Sequence, residues 1–430
     1  MKDFESERRM ASDLAVSQQR MWSSQIPQRA AGVALALAIM FLSGWATAQD
    51  GANPNADVIR DAAGNLYGTT TAGGGSGCGG SGCGTVFMLN KSGNETVLYS
   101  FTGIGGDGAT PFAGVIQDSA GNLYGTTSAG GSSGCGGSGC GTVFMLNKSG
   151  SETVLYSFMG TGSDGAAPFA GVIRDAAGNL YGTTTAGGGS GCGGSGCGTV
   201  FMLNKSGSET VLYSFTGTGG DGATPWAGVI RDAAGNLYGT TAWGGGSSCG
   251  CGTVYMLDNS GNETVLHSFT GATDGSIPTA GLLRDKAGSL YGTTFGGDFG
   301  FGTVFKIIKT GKESVLHGFK DTFDGAFPYA GLVRDAKGNL YGATWQGGGT
   351  GNLNGTIFKL GKRHKLTVLH TFIRGSDGAG PANFGDLSRD TKGNLYGSTY
   401  DGGGDGCSGN GCGTVFKLDN AGKEIVLHRF

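Results

Sequence analysis

The tripeptide Leu-Tyr-Gly occurs seven times, starting at Leu66, Leu123, Leu180, Leu237, Leu290, Leu340 and Leu395. Successive copies are 57, 57, 57, 53, 50 and 55 residues apart. Around it each unit runs in one order: AGVIRD, AGNLYGTT, a glycine-rich loop, GTVFML, KSGNE, TVLYSF, then a crossover such as TGTGGDGATPWAG. A period of this size belongs to solenoids, propellers and arrays. The repeats therefore override the two or three separate domains that 430 residues would otherwise allow.

Each unit holds four short apolar runs rich in Val, Ile, Tyr, Phe and Thr. In the second unit they are Gly114–Gln117, Asn122–Thr127, Thr142–Leu146 and Glu152–Phe158. Their length and β-branched content predict strands. Residues 118–122 and 147–150 read as hairpin turns, with glycine free to take positive φ. In Val154, Leu155, Tyr156 and Phe158 neither face carries a charge. A sheet with one wet face would alternate sharply. Sheets apolar on both faces and repeated seven times predict an all-β fold, a seven-bladed β-propeller of four-stranded antiparallel blades. A β-helix rung is too short for this period, and an open array would expose two apolar faces per sheet.

The blades are preceded by a signal peptide. Arg8, Arg9, Arg20 and Arg29 come before the apolar run Ala30–Leu42, and Ala46-Thr47-Ala48 follows. A basic region, a short apolar run and an A-x-A site make a secretory signal, with cleavage expected after Ala48. Translation starting at Met21 would give a signal of more ordinary length. The expected organisation is 1–48 signal peptide, 49–55 short linker and 56–430 propeller. No membrane span is expected after cleavage, since the run is shorter than a bilayer requires.

Export agrees with the cysteines. Cys78/Cys83, Cys135/Cys140, Cys192/Cys197 and Cys407/Cys412 form CxxxxC pairs, and Cys249/Cys251 a tighter CxC pair. Close, even pairs in an oxidising compartment read as local disulfides, least securely for the CxC ring. A thiolate metal site would need two loops to meet, with no His or carboxylate recurring beside the sulfurs, so metal is not expected. The expected location is secreted, periplasmic or cell-surface.

Glycine (92) and proline (8) make up 100 of the 430 residues, just short of a low-complexity composition. Charged residues are 14 % and the net charge is −3, which leaves no basic footprint for nucleic acid.

Let the strands be a, b, c and d from the ring axis outward. In a meander the a–b and c–d turns share one side, and the b–c loops and d–a crossovers share the other. All length variation falls on that second face, which in repeat proteins is often the binding face. Aromatics vary between units there. Phe112, Phe169, Trp226 and Tyr329 follow the crossover proline, where the fifth unit has Thr279 and Phe384 lies near the matching place in the last. Trp243, Phe295, Trp345 and Tyr400 begin the b–c loops. Such rings either stack on a sugar or polymer or plug the gap between blades.

Asp107, Asp164, Asp221, Asp274, Asp324 and Asp377 recur as Asp-Gly in the crossovers, a pattern that suits either a turn or an acidic ring for Ca²⁺. Asp61, Asp118, Asp175, Asp232, Asp285, Asp335 and Asp390 precede the a–b turns and are expected to bond the turn backbone. The arginines beside them, Arg60, Arg174, Arg231, Arg284, Arg334 and Arg389, are expected to pair with carboxylates of the next blade. His267, His317, His370 and His428 occupy the place of Tyr99, Tyr156 and Tyr213, which reads as a packing slot.

PFAGVIQDSAGNLYGTT, GTVFML and ETVLYSF resemble the Gloeobacter/Verrucomicrobia (GloVer) tandem repeat of exported bacterial proteins. The resemblance covers about Ala56 to Phe430. AGVIRDAAGNLY is also similar to the first hairpin of NHL-type blades. The family supplies no catalytic residues to carry over. Its members often end in an anchor, and none is expected after Phe430. No catalytic residues and no cofactor are expected, with Ca²⁺ the one ion the acidic crossovers suggest. Two functions remain: a monomeric binding or scaffold module contacting carbohydrate or protein through the variable face, or an extracellular polysaccharide hydrolase or lyase. Binding is favoured, because residues peculiar to one unit are mostly aromatic or neutral, with Asp298, Asp401 and Asp405 the acidic exceptions. The ring is expected to close by side-chain packing alone.

Overall fold

The structure is a computed structural model. It describes residues 50–297, 300–320, 323–349, 354–381 and 385–430, apart from the side chain of Ser408. The expected signal peptide, Asp298 and Phe384 lie outside the described residues.

The repeat sequence becomes seven antiparallel sheets whose strands follow chain order from one edge to the other. In the second blade the strands are Ile116–Gln117, Leu123–Thr127, Thr142–Leu146 and Glu152–Ser157. Three of the four fall within a residue of the expected bounds. Strand a shrinks to two residues because the chain before it serves the neighbouring blade: the Ala113 carbonyl accepts a bond from Thr69 Oγ1 at 2.8 Å. The crossovers and b–c loops also pair, as in Gly108–Ala109 with Ala129–Gly130, which sets both on one face.

The Leu-Tyr-Gly motif has a steric cause. Gly125 lies opposite Phe144 in the ladder. A Cβ there would stand 2.6 Å from Phe144 Cζ, so only glycine leaves room for the ring. The two threonines that follow are also explained: Thr127 Oγ1 meets Thr142 Oγ1 at 2.8 Å, joining strands b and c in a dry layer. The turn aspartate behaves as expected. Asp118 Oδ1 accepts the Asn122 N–H at 2.9 Å and Oδ2 accepts Tyr124 Oη at 3.0 Å.

Between blades lies the core. Cys83, Val86 and Phe101 of the first blade pack on Val115, Leu123, Phe144 and Leu146 of the second. Phe101 meets Phe144 edge-to-face at 5.1 Å, and Phe158 meets Phe201 likewise. Burying such a ring stabilises by roughly 1.5–3 kcal/mol, so each interface is a substantial apolar contact. The arginines face the preceding blade and not the next. Arg174 lies over the Tyr124 ring and Arg231 over Tyr181. Arg284 also reaches Asp232 at 3.6 Å, back across the same boundary. Rotation from blade to blade brings each strand a alongside the strand b before it, which sets this direction.

Two expectations are corrected at the ring seam. Residues 50–55 are more than a linker: Gly51–Ala52 pairs with Ala72–Gly73 as a crossover strand does elsewhere. Nor does packing alone close the ring. The Asn53 N–H donates to the Cys412 carbonyl at 2.7 Å, matching Thr110 to Cys83 at 2.8 Å. Ser398 Oγ donates to the Ala56 carbonyl at 2.7 Å. Phe87 and Phe430 meet at 5.1 Å, and Arg60 lies over Tyr396. The seam is therefore bonded like the other interfaces.

Candidate functional site

The variable face is built on disulfides. All five expected bridges are formed, including Cys249–Cys251, so among the described residues no cysteine is free to bind metal. Each bridge does a structural task. The carbonyls of Cys83, Cys140, Cys197, Cys251 and Cys412 receive the backbone N–H of the adjoining crossover at 2.7–2.8 Å. A rigid b–c loop thus holds its neighbour's crossover in place.

Aromatic residues gather on the scaffold. Phe112 and Phe169, from adjacent blades, lie 4.7 Å apart. Phe295 stacks on Phe327 at 4.8 Å and meets Tyr329 at 4.8 Å, and Tyr329 meets Trp345 edge-on at 5.8 Å. Phe112, Phe169, Trp226, Trp243, Trp345 and Tyr400 are partly exposed, whereas Tyr329 and Thr279 are buried. Burial pushes the Tyr329 phenol well above its usual range. Trp243 packs against the core between the third and fourth blades. Tyr400 offers its carbonyl to Asn53 Nδ2 at 3.1 Å. These rings fill gaps between blades, and most of them stay partly exposed. Exposed Ile104, Met159, Phe323 and Ile373 add apolar area on the crossovers.

The crossover aspartates act as turn residues. Asp107 Oδ2 accepts both the N–H and Oγ1 of Thr102 at 2.7 Å. Among the described residues no group of three or more His, Cys, Asp or Glu is placed to hold a metal. The histidine slot is more than packing: His267 Nε2 reaches Asp274 at 3.2 Å and His317 Nε2 reaches Asp324 at 2.9 Å. Burial still holds the His267 pKa below its ordinary value, against the pull of Asp274. Beside Asp107, Asp164, Asp221 and Asp274 a glutamate of the following blade joins the acidic contact. Glu152 is pushed up to about 7, first by burial and then by the Asp107 charge.

Two residues the sequence reading does not single out stand at the inner edge of the ring. Five units begin strand a with Ala-Gly; the first has Ala56-Asp57 and the last Gly385-Asp386. Their departure from the repeat is the signal that marks them. Asp386 Oδ1 accepts the Gly331 N–H at 2.8 Å. Burial and then the charge of Asp386 push Asp57 up to about 7; burial pushes Asp386 up to about 6.

The fold and this face define a seven-bladed propeller of disulfide-braced repeats. The Gloeobacter/Verrucomicrobia repeat model matches residues 38–195 and 190–409, so the chain belongs to that family. No curated protein matches it. Among solved structures it is similar to virginiamycin B lyase from Staphylococcus aureus, at 14 % identity and TM-score 0.55, covering 80 % of this chain and 91 % of that one. It is also similar to the extracellular domain of a one-component system from B. thetaiotaomicron, at 12 % identity and TM-score 0.50, covering 80 % and 37 %. At such identities the likeness is one of fold.

Proposed function

We propose that this protein is an exported binding module that contacts carbohydrate through the face carrying the b–c loops and crossovers. One observation carries the reading: partly exposed rings from several blades, Phe112, Phe169, Trp226, Trp243, Trp345 and Tyr400, share the face of the variable loops. Aromatic faces stack on sugar rings without demanding a charge partner. Five disulfides support an oxidising location, and among the described residues no helix is long and apolar enough to cross a membrane. The test is a glycan array with the full chain made in an oxidising host. A bound glycan should quench tryptophan fluorescence, and Trp226→Ala or Trp345→Ala should each weaken it by about 3–10-fold, the value of one aromatic contact. An array without hits, alongside a tight protein partner in pull-downs, would replace carbohydrate with protein.

A further inference from the structure

The channel-lining position of strand a is glycine in the five middle units, Gly114, Gly171, Gly228, Gly281 and Gly331. Those glycines leave the axis free of side chains at this level. Among the described residues, only the two blades that meet at the seam carry a side chain at this position, and both are aspartates. They are close neighbours: a Cβ on Gly385 would collide with the backbone N of Asp57. Asp57 Oδ1 lies 2.4 Å from where a Gly114 Cβ would be, and Asp386 Oδ2 lies 4.0 Å from that of Gly281. The two carboxylates therefore span the inner edges of blades 1, 2, 5, 6 and 7. Among the described residues neither forms an ion pair.

Asn55 supplies an independent observation. It takes the post-proline place that Phe112 and Phe169 hold in the next two blades, where their mutual contact marks the inner rim. It is 1 % exposed, and among the described residues neither Oδ1 nor Nδ2 has a hydrogen-bond partner. A buried amide without a partner is costly and calls for one. Two carboxylates without counter-charge and an unsatisfied amide oxygen, two residues from one of them in the chain, are all hard oxygen donors. Ca²⁺ takes six to eight such oxygens, with water completing the shell.

We propose that Asp57, Asp386 and Asn55 bind a hard divalent cation of the calcium class in the central channel, where the last blade meets the first. The cation would neutralise the two carboxylates and tie the two ends of the repeat array together. This site is separate from the crossover aspartates, and its test needs no glycan, so it stands or falls apart from the carbohydrate reading.

The experiment is thermal unfolding of the full chain in EDTA and in Ca²⁺, with Tb³⁺ luminescence as a direct probe of binding. At a hundredfold excess over Kd, Ca²⁺ should raise the midpoint by about 3 °C. The variant Asp57→Gly/Asp386→Gly installs the residue of the other five units, so the blades are preserved. It should lose the midpoint shift and the Tb³⁺ signal, and Asn55→Ala should weaken them. A response to Mg²⁺ as well would support the hard-cation class. No response to Ca²⁺, a response only to Zn²⁺ or Ni²⁺, or an undiminished response in the glycine variant would overturn the proposal.

Discussion

Single carboxylates set how this protein responds to pH, because the repeats place the same group in the same environment many times. Glu95, Glu152, Glu209, Glu263 and Glu313 are each pushed up to about 7, by burial and then by an aspartate charge across the blade boundary. In the unfolded chain these groups titrate near 4.5. The folded state thus holds more protons between about pH 4.5 and 7, and stability falls as pH rises through that window. The turn aspartates act oppositely. Burial alone would raise Asp118, but bonds from Asn122 and Tyr124 outweigh it and hold its pKa low. Their stabilisation is present above pH 4 and is lost in stronger acid. Thermal midpoints should therefore peak near pH 4.5–5 and decline towards pH 8. The sixth unit carries Leu366 where the others have glutamate. Glu152→Leu with Glu209→Leu should flatten the decline; an unchanged slope in that variant would contradict the assignment.

Among the elements, the b–c loop decides how blades join. Its second cysteine gives a carbonyl to the neighbouring crossover, so the bridge orders a loop and a junction together. Closing a six-residue ring contributes about 2 kcal/mol through the unfolded chain. Cys407→Ser/Cys412→Ser should cost about that much in denaturant unfolding and should expose the seam, where Cys412 receives Asn53, to limited proteolysis. Cys192→Ser/Cys197→Ser should cost the same yet direct cleavage to the middle of the chain. Identical cleavage patterns for the two variants would show that the bridges do not govern junctions locally.

For the whole molecule the question is whether a ring without a shared strand has a weak point. Phe87 at the seam and Phe144 within the ring are both fully buried and both meet an edge-on phenylalanine of the preceding blade at 5.1 Å. Replacing either by alanine should cost about 3–5 kcal/mol, the usual range for a buried aromatic. Equal losses, measured by denaturant unfolding, are expected. A much smaller loss for Phe87→Ala would mean that the seam is looser than its hydrogen bonds imply.

Seven units, four strands in each, the turn aspartates and the local disulfides were all legible in the chain, because they depend on contacts within one unit or its period. Gly125 could be recognised as recurrent, but the Phe144 ring that requires it became visible only with the strand register. The direction of the arginines and the bonds of residues 50–55 to the last blade belong to contacts between units. Repetition within a unit says nothing about which side a neighbour lies on. The same limit hid Asp57, Asp386 and Asn55. They lie up to 331 residues apart, Asn55 to Asp386, and only closing the circle makes Asp57 and Asp386 neighbours. Short-range sterics and turn chemistry write the blade into the sequence; the charge at the centre arises from geometry that exists only once the ring is complete.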